Sequence, residues 1–329
     1  MQKIDRILDE YGLAHAISYP VTEKLYRTTD GENEYALKQS SFTVDTTEQW
    51  QSFLSLVEKY KIQSFLPVYL TESQAPFVIH DGNLFYLSPW VTSRRPLSYE
   101  DEFQSFYQAI GKVHKKTQQS GMITTERLTE IVTYFQSVYD NTSSSLLHAV
   151  EQFEKERFMS PFGLLVCTQF RNIQNTLHRT REKTDYLMEK IKSGAEWRIC
   201  LTHGNLRLSH WIDPYFINWE QATYSSPVVD LYTFFTSELS SQQLFDVFIG
   251  QFPVYLRESE LEEHELHLLS LYLLNPQPYL RLVQNYIQGE TSTLQSIYHL
   301  QEAYRKIMFG LSFQSFVQQQ YEPLMNNEE

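Results

Sequence analysis

Glycine and proline are scarce, 11 and 12 in 329 residues, which sets aside a disordered or collagen-like chain. No stretch recurs at a fixed period, so a repeat architecture is set aside too. Cysteine is scarcer still: Cys167 and Cys200 cannot frame a disulfide network and do not sit in a zinc-binding spacing. No run approaches the ~18 uninterrupted apolar residues that a membrane-spanning helix needs. The opening Met1-Gln2-Lys3-Ile4-Asp5-Arg6 lacks the basic-then-apolar order of a signal peptide. Synthesis and folding in a reducing cytosol, without membrane insertion, are therefore expected. Positive charge is also short. With 27 basic and 40 acidic residues the net charge is −13, which opposes broad docking on nucleic acid or anionic lipid. A small basic pocket is compatible with that total.

What the chain has in quantity is aromatic residues, 22 Tyr and 21 Phe, enough to build much of a large core. Residues 3–11 read as a short helix, followed by strands at 14–19, 24–28 and 34–39. Asp30-Gly31-Glu32-Asn33 is a hairpin turn between the last two. Thr46–Lys61 is a helix with Thr46 or Thr47 as cap, and Trp50, Phe53, Leu54, Val57 and Tyr60 share one face. Strands at 67–70, 77–80 and 84–89 continue the sheet, with Asp81-Gly82-Asn83 as a second turn.

From Tyr99 the pattern is mainly helical, with Phe103, Phe106, Tyr107, Ile110 and Val113 as one stripe and His114 as a buried structural histidine. Helices are expected at 126–139 and 146–158, separated by the loop Asp140-Asn141-Thr142-Ser143-Ser144-Ser145. Another runs from 169 to 191, stopping before Ser193-Gly194. Further helices fill 228–318, and the polar tail from Met325 is expected to fray. The Glu-rich stretch 257–267 carries His264 and His267, but zinc ligation from one helix face needs His at i and i+4, and position 268 is Leu. A solvated helix surface is the expectation there.

Three blocks stand out. They are Thr202-His203-Gly204-Asn205-Leu206-Arg207-Leu208-Ser209-His210, Phe216-Ile217-Asn218-Trp219-Glu220, and Asp230-Leu231-Tyr232. Together they resemble the catalytic core of the aminoglycoside/choline phosphotransferase branch of the kinase-like fold. The resemblance implies an α+β, bilobal fold: a small antiparallel-sheet lobe, residues 1–92, and a large, mainly helical lobe, residues 93–329. It also assigns roles. Asn205 stands where that branch has its proton-accepting Asp, His210 where it has a metal-binding Asn, and Asn218 where it has the main magnesium carboxylate. Lys38 matches the strand lysine that pairs with nucleotide phosphates, and Arg207 is a second candidate phosphate contact. Each has an alternative: Lys38 as a strand lysine facing water, Arg207 as the partner of an acid such as Glu220. His203, Gly204 and Asp230 have architectural duties.

The turn between the first two strands, Tyr19-Pro20-Val21-Thr22-Glu23-Lys24, has no glycine. The helix position expected to hold an acid for Lys38 falls near Gln51, so Glu48 and Glu58 read as solvated. Trp90-Val91-Thr92-Ser93-Arg94 resembles the link between lobes, and Gly111-Lys112-Val113-His114 resembles another family segment. Asn205 to Asn218 spans 13 positions, a short interval that implies a clipped hairpin at 211–217 turning at Asp213-Pro214.

An amide at 218 is neutral and an imidazole at 210 offers nitrogen to an ion that prefers oxygen, so catalysis and metal binding are not expected. Rescue by Glu220 or Asp213 is the exception. With Tyr215-Phe216-Ile217-Asn218-Trp219-Glu220 and Ser226-Pro227-Val228-Val229-Asp230-Leu231, the chain resembles the CotS/YutH group of endospore coat-associated proteins. That resemblance implies synthesis in the mother-cell cytoplasm, a place in the spore coat and other coat proteins as partners. Two further readings stay open: a residual ATP- and magnesium-dependent small-molecule phosphotransferase, and a protein that binds a nucleotide or phosphorylated metabolite without turnover.

Overall fold

The computed structural model describes residues 2–43, 46–92, 98–120, 124–239, 245–289 and 292–321, which form two compact units. The first unit takes residues 1–117 with 203–223, and the second takes 118–202 with 224–329. Ser93, Arg94 and the tail from Met325 lie outside the described residues.

In the first unit, α1 (Gln2–Asp9) precedes β1 (Ile17–Thr22), β2 (Leu25–Thr29), β3 (Glu34–Thr43), α2 (Thr47–Tyr60), β4 (Val78–His80), β5 (Asn83–Pro89) and α3 (Tyr99–Thr117). The five strands pair antiparallel in the order β1-β2-β3-β5-β4. Turn chemistry sets the β2–β3 register: an Asp30 carboxylate oxygen accepts the N–H groups of Glu32 at 2.9 Å and Asn33 at 2.7 Å, and Gly31 takes φ +98°. Strand alternation then sorts β3. Tyr35 and Leu37 pack with Ile4, Ile7 and Leu8 of α1, while Ala36 and Lys38 fall on the opposite face. Each fully buried aliphatic side chain of this kind is worth about 1.5–3 kcal/mol. The strand expected at 67–70 is not one. Pro67 has no N–H to give a ladder, and the segment is tied by Tyr69 N–H to Leu87 O at 2.8 Å.

Residues 203–223 join this unit through β8 (Trp211–Ile212) and β9 (Tyr215–Phe216), the clipped hairpin, whose Asp213–Pro214 bond is cis. Phe216 N–H donates to Ser64 O at 2.7 Å, Phe65 bridges to Phe216, and the Phe216 ring meets Phe106 of α3 at 5.3 Å.

The second unit contains β6 (Gln119–Ser120), α4 (Thr125–Glu154), α5 (Pro161–Lys192), β7 (Arg198–Thr202) and, from Tyr224 on, β10 (Thr223–Ser225), with β7 between β6 and β10. The helices α6 (Pro227–Glu238), α7 (Phe245–Glu258), α8 (Glu263–Leu273), α9 (Gln277–Ile287) and α10 (Thr293–Tyr321) follow. The loop expected at 140–145 is helix, and α4 runs unbroken for 30 residues. Val138, Thr142 and Leu146 carry a buried i, i+4 stripe straight through it, so packing overrides the weak helix propensity of Asn, Ser and Thr. α5 starts earlier than the expected 169, because the Ser160 hydroxyl accepts Gly163 N–H at 3.1 Å and Pro161 takes the first helical position.

The stretch 257–267 is a correction as well. α8 is buried almost all round, not a solvated surface. The Glu265 carboxylate accepts the Arg198 guanidinium, and His264 Nε2 bonds to Glu196 O at 2.9 Å with its ring against Trp197. Apolar residues on every side of His264-Glu265-Leu266-His267-Leu268-Leu269 draw the helix inward, and polar partners compensate its charges. Among the described residues no group of three or more His, Cys, Asp or Glu is arranged to hold a metal ion.

Burial, with repulsion from Lys183 and His264, outweighs the nearby Glu263 and lowers the His267 pKa to about 4. In the folded state His267 stays neutral where the unfolded chain, with its pKa near 6.5, takes up a proton. Stability is therefore retained above pH 6.5 and falls as pH drops toward 4, by about 1 kcal/mol per unit. Denaturant titrations between pH 7 and 4.5 check this, and His267→Gln is expected to flatten the slope.

Candidate functional site

Strand pairing sets Lys38 opposite Tyr86 of β5 and Leu25 of β2. From there Lys38 Nζ donates to Asn218 Oδ1 and to Glu220 Oε1, both at 2.5 Å. The Glu220 side chain is 9% exposed and that of Lys38 21%. Burial pushes the Tyr86 phenol well above its ordinary pKa, with the Glu220 charge and a hydrogen bond to Glu220 adding to it. Tyr86 therefore remains protonated and donates to the same carboxylate. These four side chains form a closed polar knot, called the latch below.

Asn218 reaches the latch through a left-handed backbone, φ +67° and ψ +48°, just before the 3₁₀ turn Trp219–Gln221. Asn is among the few non-glycine residues that tolerate this conformation. No acid on α2 approaches Lys38; Glu48, Gln51 and Glu58 are all exposed. The inward face of α2 is aromatic. Tyr86, Trp50, Phe53 and Trp219 stack in succession, with ring centroids 5.2, 5.4 and 5.4 Å apart, and join β5 and α2 to the motif segment.

The turn at 203–205 is built around a histidine and a glycine. His203 Nδ1 accepts Asn205 N–H at 3.3 Å, so the proton sits on Nε2, which donates to Ile217 O at 2.8 Å. Gly204 has φ +78°, and a Cβ there would lie 2.1 Å from Gln221 O. Gly204→Ala is expected to cost the first unit about 2 kcal/mol, from the left-handed backbone together with the overlap, measurable as a lowered denaturation midpoint. Asp230, in the second unit, is fully buried in the first turn of α6, and its charge acts on Cys200 and Tyr255.

The remaining motif positions turn toward one another. Arg207 Nε donates to Asn205 Oδ1 at 2.9 Å, so it does not pair with Glu220, which Lys38 has claimed. His210 Nδ1 donates to Asn205 O at 2.9 Å, and its ring stacks on His203 at 5.6 Å. Burial lowers the His210 pKa, and the cations Arg207 and Lys38 add to the effect, so the ring is neutral at pH 7. Asp213 stands exposed in the hairpin turn.

As a metal site the arrangement is a poor fit. Magnesium is ordinarily held by one or two carboxylates plus phosphate oxygens in octahedral geometry. Asn218 presents a neutral oxygen already used by Lys38, Glu220 spends its charge on Lys38 and Tyr86, and His210 offers nitrogen. Asn205 has no basic oxygen for a substrate proton. Beside the latch lies a cavity of about 400 Å³, lined among others by Leu25, Ala36, Trp50, Tyr86, Trp90 and Phe216. Sequence reasoning identified Lys38 and Glu220 separately. It assigned Trp50 only to an apolar stripe and overlooked Tyr86; for these two the β-strand and helix periodicities gave no functional signal.

No protein-family model matches the sequence. No curated protein matches it either. Solved structures do match. An aminoglycoside phosphotransferase from Alicyclobacillus acidocaldarius superposes over 96% of both chains with a TM-score of 0.69 at 17% identity. The AMP-bound complex of spectinomycin phosphotransferase APH(9)-Ia covers 94% of this chain and 98% of its own, with a TM-score of 0.56 at 13% identity. Such identities establish the fold: α+β, a five-stranded antiparallel sheet lobe and a large helical lobe, as in aminoglycoside phosphotransferases.

Proposed function

We propose that this protein is a catalytically silent relative of the small-molecule phosphotransferases, a pseudokinase that acts as a structural or assembly module of the bacterial endospore coat. The observation that carries the silent reading is the latch. The lysine that a phosphotransferase of this fold would turn toward nucleotide phosphates is bound to Asn218 and Glu220. Losing a general base alone leaves a slow enzyme, about 10²–10⁴ down. Losing the anionic metal anchor too removes the larger electrostatic contribution to phosphoryl transfer.

The coat assignment is supported by the resemblance of the motif blocks around Asn205, His210 and Asn218 to the CotS/YutH group. It implies synthesis in the mother cell and partners among other coat proteins. Incubation with labelled Mg·ATP and a panel of aminoglycosides and amino alcohols tests the first part; no label transfer is expected, and transfer to any acceptor would refute it. A fluorescent fusion in a sporulating host tests the second, with a ring around the forespore expected and a diffuse mother-cell signal contradicting it.

A further inference from the structure

The outer face of α3 carries a charge pattern that the helix does not satisfy within itself. The apolar stripe that starts at Phe103 is buried, which turns Glu100, Asp101, Gln104, Gln108, Lys112 and Lys115 to the exposed side, together with Lys116. Along a helix a charge is relieved by an opposite one three or four residues away. The two acids have Phe103, Gln104 and Ser105 at those places, and no lysine has an acid there. Lys112 and Lys116 instead stand i, i+4, a like-charge spacing that disfavours the helix. Among the described residues Glu100, Lys112, Lys115 and Lys116 make no ion pair, and Asp101 accepts the Ser98 hydroxyl at 3.0 Å. Lys116 Nζ donates to Lys61 O at 2.7 Å, which brings the exposed Lys61 to the same basic end. The pattern is symmetric about Gln108 with its sign reversed: Glu100 and Lys116 lie eight residues to either side of it, and Asp101 and Lys115 seven.

We propose that two copies of this protein associate through this face, with their α3 helices antiparallel and centred on Gln108. Glu100 and Asp101 of each copy then meet Lys116 and Lys115 of the other. The two ends of the face are about 24 Å apart along one rigid helix, so a single copy cannot pair them itself. An antiparallel contact about a two-fold axis uses the face twice and closes at two copies, whereas a parallel one sets like charges side by side. A nucleic acid or an anionic membrane lying along α3 would meet Glu100 and Asp101, and the net charge of −13 opposes it further. Exposed ion pairs contribute little one at a time and are screened by salt, so the dimer is weak and salt-sensitive. The inference goes beyond the proposed function and holds whether or not the cleft is silent.

Sedimentation equilibrium of the full chain at about 20 and about 500 mM NaCl tests it. A monomer–dimer equilibrium with Kd below about 200 µM is expected at the lower salt, weakened about tenfold or more at the higher. Lys115→Glu/Lys116→Glu is expected to be monomeric, and so is Glu100→Lys/Asp101→Lys, because each sets like charges opposite one another. Mixed in equal amounts, the two variants are expected to form a heterodimer, since each supplies the complement that the other lacks. All four positions are exposed, and circular dichroism checks the fold of both variants. Gln108→Arg, which opposes two cations at the centre of the contact, is expected to weaken the dimer and decides the matter where a doubled variant does not fold. A wild type that stays monomeric up to about 500 µM, an association that salt does not weaken, or variants that dimerise as wild type would each overturn the inference. A mixture of the two folded variants that stays monomeric would overturn it as well.

Discussion

Lys38→Met is expected to lower the unfolding free energy of the first unit by about 3 kcal/mol, because it strands the Glu220 carboxylate in a site that is 9% exposed. Removing one partner of a buried ion pair costs far more than the pair contributes, since the remaining charge keeps its desolvation penalty. Lys38 is itself 21% exposed, which places the effect at the low end of the buried range. Fluorescence-monitored denaturation reads it directly, as Trp50, Trp90, Trp211 and Trp219 all belong to this unit. The double variant Lys38→Met/Glu220→Leu removes both charges and is expected to recover most of the loss. A single variant as stable as wild type would mean that the lysine is solvated and the latch open.

The second large effect is a gain. Asn218→Asp places a carboxylate where Lys38 Nζ now bonds an amide oxygen, beside Glu220, and Asp tolerates the left-handed backbone that Asn218 adopts. Two carboxylates beside one another repel, and a divalent cation relieves that repulsion while bridging to phosphate oxygens. Mg·ATP affinity is expected to rise by about tenfold or more over wild type, only with magnesium present. Calorimetry on both proteins checks it. No magnesium-dependent change in the variant would mean that something other than the missing charge blocks the site.

The parts of the fold that were legible in the sequence are those where local chemistry decides. Asp30-Gly31 and Asp81-Gly82 turn the chain by their own backbone and side-chain preferences, and the stripe on α3 is a plain helical period. The misread parts are those where distant packing decides. Asp140 through Ser145 look like a loop until the buried stripe Val138, Thr142, Leu146 carries the helix through them, and His264-Glu265 look solvated until Arg198 and Trp197 cover them. At the site, Asn205, His210 and Asn218 could be singled out because three motif blocks follow one another in order. Lys38 and Glu220 are 182 positions apart, and no pattern within either segment announces that they touch. Trp50 reads as core because it is core; what sets it apart is an unpaired N–H, which only coordinates reveal.

The central claim is that Lys38, Asn218 and Glu220 satisfy one another and leave no anionic grip for a divalent ion. Titrating the wild-type protein with ATP, once with excess magnesium and once with EDTA, tests it most directly. The two curves are expected to coincide; a clear tightening of ATP binding when magnesium is added would contradict the account.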